Sequence, residues 1–157
     1  MSSYMQEKWS TVEGTHAMRD ELLDTLTDAD MAFNPGGANM TFGALWREMG
    51  EIEHSYAQSL KNFTQDFDYR NREAGLDGSV ARLKAWLQTL DAEMKATLEG
   101  YTDAEWNKPI VRPGFEPSVE TQMDIYLQAM LIFFGKASIY VKAMNKPLTD
   151  SVRDWIG

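Results

Sequence analysis

Two histidines, His16 and His54, and no cysteine bound the chemistry available to this sequence of 157 residues. Disulfides, thiolate zinc sites and cysteine nucleophiles are all excluded. No serine or threonine has a histidine partner in a nucleophile motif, and Gly36-Gly37 lacks the strand and lysine of a phosphate loop. The least expected polar residue is Glu53. On a helical wheel it falls inside the stripe made by Leu45, Met49, Tyr56 and Leu60. One reading makes it a general base or cation ligand in a bundle interior, where burial raises a carboxyl pKa. The other makes it a structural acid bonded to a Tyr, Trp or Arg on a facing helix. His16 lies near the apolar face of the first helix and is expected in a hydrogen-bonded core or boundary position. His54 points away from the stripe, toward solvent or a second interface. Glu53, Tyr56, Tyr126 and His54 are the candidate pocket residues. The ten methionines, scattered at helical spacing, read as core filler.

Four long elements must position these side chains. Helix one is predicted from about Tyr4 to Leu26, with Trp9, Val12, His16, Arg19, Leu22, Leu23 and Leu26 at three- and four-residue spacings and Gly14 as its flaw. Helix two runs from about Thr41 to Phe63, after the breaker Asn34-Pro35-Gly36-Gly37. Helix three starts at Ser79 as N-cap and stops at Gly100. Helix four starts at Ser118 and ends at Asn145, before Pro147. Leu26-Thr27-Asp28-Ala29-Asp30-Met31 and Tyr101-Thr102-Asp103-Ala104-Glu105-Trp106 share a pattern in which a threonine is followed three residues on by an acid. Each predicts a capped short helix after a long one, so the molecule reads as two helical hairpins of similar plan. No stretch alternates with period two, so no sheet is expected. The long polar segment Thr64 to Gly75 is read as a crossover between parallel helices two and three of an all-α four-helix bundle.

Composition agrees with one globular domain spanning 1–157: 43% of residues are hydrophobic and 25% charged. Acidic residues outnumber basic ones by 24 to 15, and the net charge of −9 argues against nucleic acid and anionic membrane surfaces as partners. The opening MSSYMQEKWS has no basic segment followed by an apolar one, so a cytoplasmic location is expected. Ala129 to Phe134 is the most apolar stretch, far short of a bilayer span, and reads as buried helix. Helix four is apolar on two sides. Val119, Met123, Tyr126, Met130, Phe134, Ala137, Val141 and Met144 form one stripe, while Ile125, Ile132 and Ile139 recur every seven residues opposite. That second face predicts a homodimer built on helix four. The competing cover is the crossover itself, through Phe67 and Tyr69.

Three strings carry a resemblance: Thr41-Phe42-Gly43-Ala44-Leu45-Trp46-Arg47-Glu48-Met49-Gly50-Glu51-Ile52-Glu53, Gly135-Lys136-Ala137-Ser138-Ile139-Tyr140-Val141-Lys142-Ala143-Met144, and Trp155-Ile156-Gly157. With the helix plan, they resemble the DinB-like family, also called the DinB/YfiT-like putative metalloenzymes. The resemblance implies a four-helix bundle with a long middle crossover, often dimeric, in which three histidines hold a divalent metal. Aligned by Glu53 and Gly135, those family positions fall on Glu48, Ala129 and Phe133, with Lys136 where the family has a glutamine. None is histidine. Because Ala129 and Phe133 offer no lone pair, no metal and no other cofactor is expected there. The resemblance leaves a bundle protein with a degenerate site that binds a small molecule or acts as a non-catalytic dimer. The alternatives are a divergent thiol- or metal-dependent transferase or hydrolase using carboxylates such as Glu48, Glu53 or Asp124, and a protein interaction module.

Overall fold

The computed structural model describes residues 3–156, and Gly157 of the last string lies outside them. The order of helices is α1 (Ser3–Glu7), α2 (Trp9–Asp24), α3 (Phe42–Asn62), α4 (Val80–Glu99), α5 (Asp103–Trp106), α6 (Val119–Ala143) and α7 (Asp150–Trp155), with 3₁₀ turns at Asp28–Ala32 and Leu76–Gly78. Among the described residues there is no strand, only isolated bridges between Thr64 and Val111 and between Arg112 and Phe115. The fold is all-helical, as expected.

Local chemistry accounts for the boundaries. The hydroxyls of Thr41, Ser79, Thr102 and Ser118 accept backbone N–H bonds at the starts of α3, α4, α5 and α6. Both threonine–acid repeats form capping boxes: Asp30 answers the Thr27 N–H at 2.7 Å, and Glu105 answers that of Thr102 at 2.7 Å. The first helix is shorter than expected. It breaks at Lys8 and ends at Asp24, while Gly14 stays inside an unbroken helix with open space around it. Helix α7, capped by Thr149, was not foreseen.

Side-chain pairings fix the directions. Arg47 bonds Asp77 just ahead of α4, the face of Trp86 lies where a Cβ on Gly50 would be, and Gln58 bonds Glu93, so α3 and α4 run parallel. In contrast, Glu13 pairs with Lys95 and Asp24 with Lys84, which sets α2 antiparallel to α4. Helices α3 and α6 are also antiparallel, since Gln122 meets Ser59 and Tyr140 stacks on Phe42. The predicted crossover thus joins parallel neighbours. It leaves α3 at Phe63, whose left-handed backbone (φ 55°) ends the helix, and a Phe63 carbonyl bond from the Val111 N–H pins the exit.

The core lies between the four long helices: Leu22, Leu23, Trp46, Leu60, Leu83, Leu87, Met94, Met130, Phe134 and Val141 are all buried. Each such side chain contributes about 1.5 to 3 kcal/mol over its exposed state. Helix α6 is the one described helix long and apolar enough to cross a membrane, and it buries Met123, Tyr126, Met130, Phe134 and Ala137 inside this bundle.

Candidate functional site

Every long helix sends a polar side chain to one point in the core. Helix α2 contributes His16 and Arg19, α3 Glu53, α4 Asp91 and α6 Tyr126. Arg19 is fully buried and organises the group. Its guanidinium donates to Glu53 Oε2 at 2.9 Å, to both Asp91 oxygens at 3.0 and 2.7 Å, and to Asp20 Oδ1 at 2.8 Å. His16 Nδ1 lies 3.0 Å from Asp91 Oδ1, and its Nε2 lies 2.6 Å from the Tyr126 hydroxyl. A carboxylate on Nδ1 fixes the proton there, leaving Nε2 to accept from the Tyr126 O–H. Glu53 Oε1 is buried without a hydrogen-bond partner.

Burial pushes the Glu53 carboxyl well above the ordinary range despite the Arg19 charge. Asp91 goes the other way. Burial opposes its ionisation, but hydrogen bonds from His16 and Arg19 outweigh that and hold its pKa low. Burial, then the Glu53 charge, raises Tyr126. Donor atoms of His16, Glu53 and Asp91 lie within 4.8 Å of one another, a spacing a cation could bridge. The Arg19 guanidinium already bonds both carboxylates, so a divalent ion would have to displace a buried cation. The group ties four helices together.

A second polar layer lies nearer the end of the bundle. Gln122 accepts from Arg112 at 2.9 Å and donates to Ser59 at 2.8 Å, while the Arg112 guanidinium packs against Tyr56, Phe67 and Phe115.

The Glu48, Ala129 and Phe133 positions converge elsewhere. They line one hollow between α3 and α6, of about 150 Å³, with Leu45, Met49, Ile52, Ile132 and Lys136. Its floor is apolar, and it carries one acid and one base. Glu48 also borders two adjoining hollows, which bring in Glu51, Arg70 and Phe67 on one side and Arg47 and Arg72 on the other. Glu51 holds the crossover over this surface by accepting the Asn71 N–H at 2.9 Å.

Of the four candidate pocket residues, the structure brings Glu53 and Tyr126 into the polar cluster, with the Tyr56 ring 5.3 Å from that of Tyr126. His54 is elsewhere, half-buried and stacked on Tyr69 of the crossover at 3.7 Å, where burial lowers its pKa. Glu48, Glu53 and Asp124 do not share a site: Glu48 faces the hollow, Glu53 faces Arg19, and Asp124 lies half-exposed 4.0 Å from Lys8. The sequence reading did not single out Asp91 as a partner, although it lies four residues after Leu87 and three before Met94, on the buried stripe of α4.

A family model described as the DinB superfamily matches residues 11–131. The fold is similar to the crystal structure of a DinB-like protein from Bacillus subtilis, with a TM-score of 0.66 and 15% identity over 85% of this chain and 88% of that one. At that identity the likeness speaks for the fold alone. No curated protein matches the chain.

Proposed function

The chain belongs to the DinB superfamily, and from that premise we propose that it is a metal-free, cytoplasmic member whose hollow between α3 and α6 binds a small organic molecule. The observation that carries this reading is that Glu48, Ala129 and Phe133, which the resemblance lays on the family's histidine positions, line one hollow. A divalent ion needs three or four converging donors. Ala129 and Phe133 have none, and the ammonium of Lys136 on the same wall repels a cation. His54 offers no replacement, since its ring is stacked on Tyr69. The residues present do not fit the family metal.

They fit a different occupant. A cavity near 150 Å³ holds a benzene-sized group, and this one has an apolar floor of Leu45, Met49, Ile52 and Phe133. Glu48 and Lys136 supply opposite charges on its walls, which suits a zwitterion with a compact apolar side group. A transferase or hydrolase with carboxylate metal ligands has less support, because Glu48, Glu53 and Asp124 lie apart. An interaction module would rest on the acidic surface and the exposed Ile132 and Ile139 of α6.

The test is an NMR titration of amide resonances with phenylalanine, benzoate and benzylamine as probes. Phenylalanine should shift Glu48, Ile52, Ala129 and Lys136 most, and Ala129→Trp, which fills the hollow, should abolish the shifts. No shift at these residues at millimolar phenylalanine, or shifts that survive Ala129→Trp, would overturn the reading.

A further inference from the structure

We propose that a cleft between α2, α6 and α7, on the far side of α6 from the Glu48 hollow, binds an uncharged aromatic molecule of two or three fused rings. The two sites share no lining residue. At about 100° per residue, Leu127, Leu131 and Phe134 point roughly opposite to Ala129, Ile132 and Lys136, so α6 itself stands between them.

The cleft has a volume of about 430 Å³, against about 150 Å³ for the hollow. That places it in the range of about 300 to 1,000 Å³ in which small-molecule sites occur. Unequal walls open it. Helix α2 contributes Ser10, Thr11, Gly14 and Thr15, while α6 contributes Leu127, Leu131 and Phe134. Short side chains on one helix leave the long ones on the other without full cover, and Leu131 is 46% exposed. Gly14 is the extreme case. Glycine is disfavoured inside a helix, yet nothing lies within 4 Å of the place where its Cβ would stand, so no neighbour in the fold requires it. Its lack of a side chain keeps the cleft open.

The lining selects the ligand. None of the residues around the cleft is charged, in a chain of which 25% of residues are. An ion entering it would give up water and meet no counter-charge, so the occupant is neutral. Aromatic surface is on offer at two places: Phe134, fully buried, forms part of the floor, and Trp155 borders the α7 side with its indole 75% exposed. A planar ring laid against that indole takes both faces out of water, and the Met18 thioether adds a soft contact to it. The polar demand lies at one end. The Thr15 and Ser151 hydroxyls are spent on the Thr11 carbonyl and on Glu21, each at 2.7 Å, whereas those of Ser10 and Thr11 make no hydrogen bond among the described residues. They can donate or accept, which suits a hydroxyl or carbonyl on the ligand's edge. From Ser10 to Met18 the α2 wall runs about 12 Å, the length of two or three fused rings.

The test is an NMR titration with naphthol as the probe and with naphthoate and naphthylmethylamine as its charged counterparts. Naphthol should shift the amides of Thr11, Gly14, Leu127 and Leu131 and the Trp155 indole N–H most, and the two ions should bind at least about tenfold more weakly. Gly14→Leu, which puts a side chain into the cleft where there is room for its Cβ, should abolish these shifts while circular dichroism stays helical. Trp155→Ala, at an exposed position, should weaken naphthol about tenfold. No shift at these residues at millimolar naphthol, shifts that survive Gly14→Leu, or naphthoate binding as tightly as naphthol would overturn the proposal. So would a dimer in sedimentation equilibrium that Gly14→Leu converts to monomer, since a second copy would then fill the cleft. Phenylalanine in the hollow is read at Glu48 and Lys136, so the failure of one site leaves the readout of the other intact.

Discussion

Replacing Arg19 with methionine keeps most of the buried length of the side chain and removes the charge on which the polar cluster is built. The cost follows from what is stranded. Asp91 loses the two hydrogen bonds at 3.0 and 2.7 Å, and Glu53 loses the one at 2.9 Å. Glu53 can respond by keeping a proton, since burial already holds its pKa high. Asp91 cannot do so as readily, because its low pKa depends partly on His16 as well as Arg19. Removing one partner of a buried pair costs about 3 to 5 kcal/mol, a large part of the roughly 5 to 15 kcal/mol that holds a domain folded. Urea unfolding followed by circular dichroism measures the loss directly. Asp91→Asn in the Arg19→Met background removes the stranded carboxylate, so the double variant should recover part of it, with a coupling energy of about 1 to 3 kcal/mol. A loss below about 1 kcal/mol, the value of an exposed ion pair, would refute the buried-network reasoning.

Glu53→Gln should change the pH profile more than the stability at its optimum. The folded protein keeps a proton on Glu53 where the unfolded chain has already lost it, so this group's contribution is complete below about pH 4 and is lost as pH rises, by up to about 1.4 kcal/mol per pH unit. The variant should therefore gain on the unmodified protein as pH increases, and parallel stability curves would contradict the assignment. Two glycine substitutions should have opposite signs. Gly43→Ala sets a Cβ 1.7 Å from the Asp77 carbonyl oxygen and should cost about 1–3 kcal/mol by overpacking, whereas Gly14→Ala, in open space, should gain up to about 1 kcal/mol of helix propensity.

What could be read from the sequence follows from the range of each interaction. Caps act within three residues, so the Thr27, Thr41, Ser79, Thr102 and Ser118 starts were legible. Helix α7 was not, because six residues are too few to display a period and Pro147, two residues before its Thr149 cap, signals only the stop of the preceding helix. Glu53 and His16 were conspicuous as polar residues on or beside apolar faces. The pairs Arg19–Glu53, His16–Asp91 and His16–Tyr126 are separated by 34, 75 and 110 residues of chain, distances no local pattern spans. Glu48, Ala129 and Phe133 were singled out by the family resemblance and not by periodicity, and their place on one hollow is visible only in the fold. The place of His54 depended on the path of the crossover, which brings Tyr69 onto its ring.

The central claim is that the hollow formed by Glu48, Ala129 and Phe133 holds no divalent metal, and elemental analysis tests it most directly. Protein expressed with zinc and nickel in the medium and purified without chelator should carry far less than one equivalent of either. One equivalent that is retained through gel filtration and lost in Glu48→Ala would place a metal in that hollow and contradict the account.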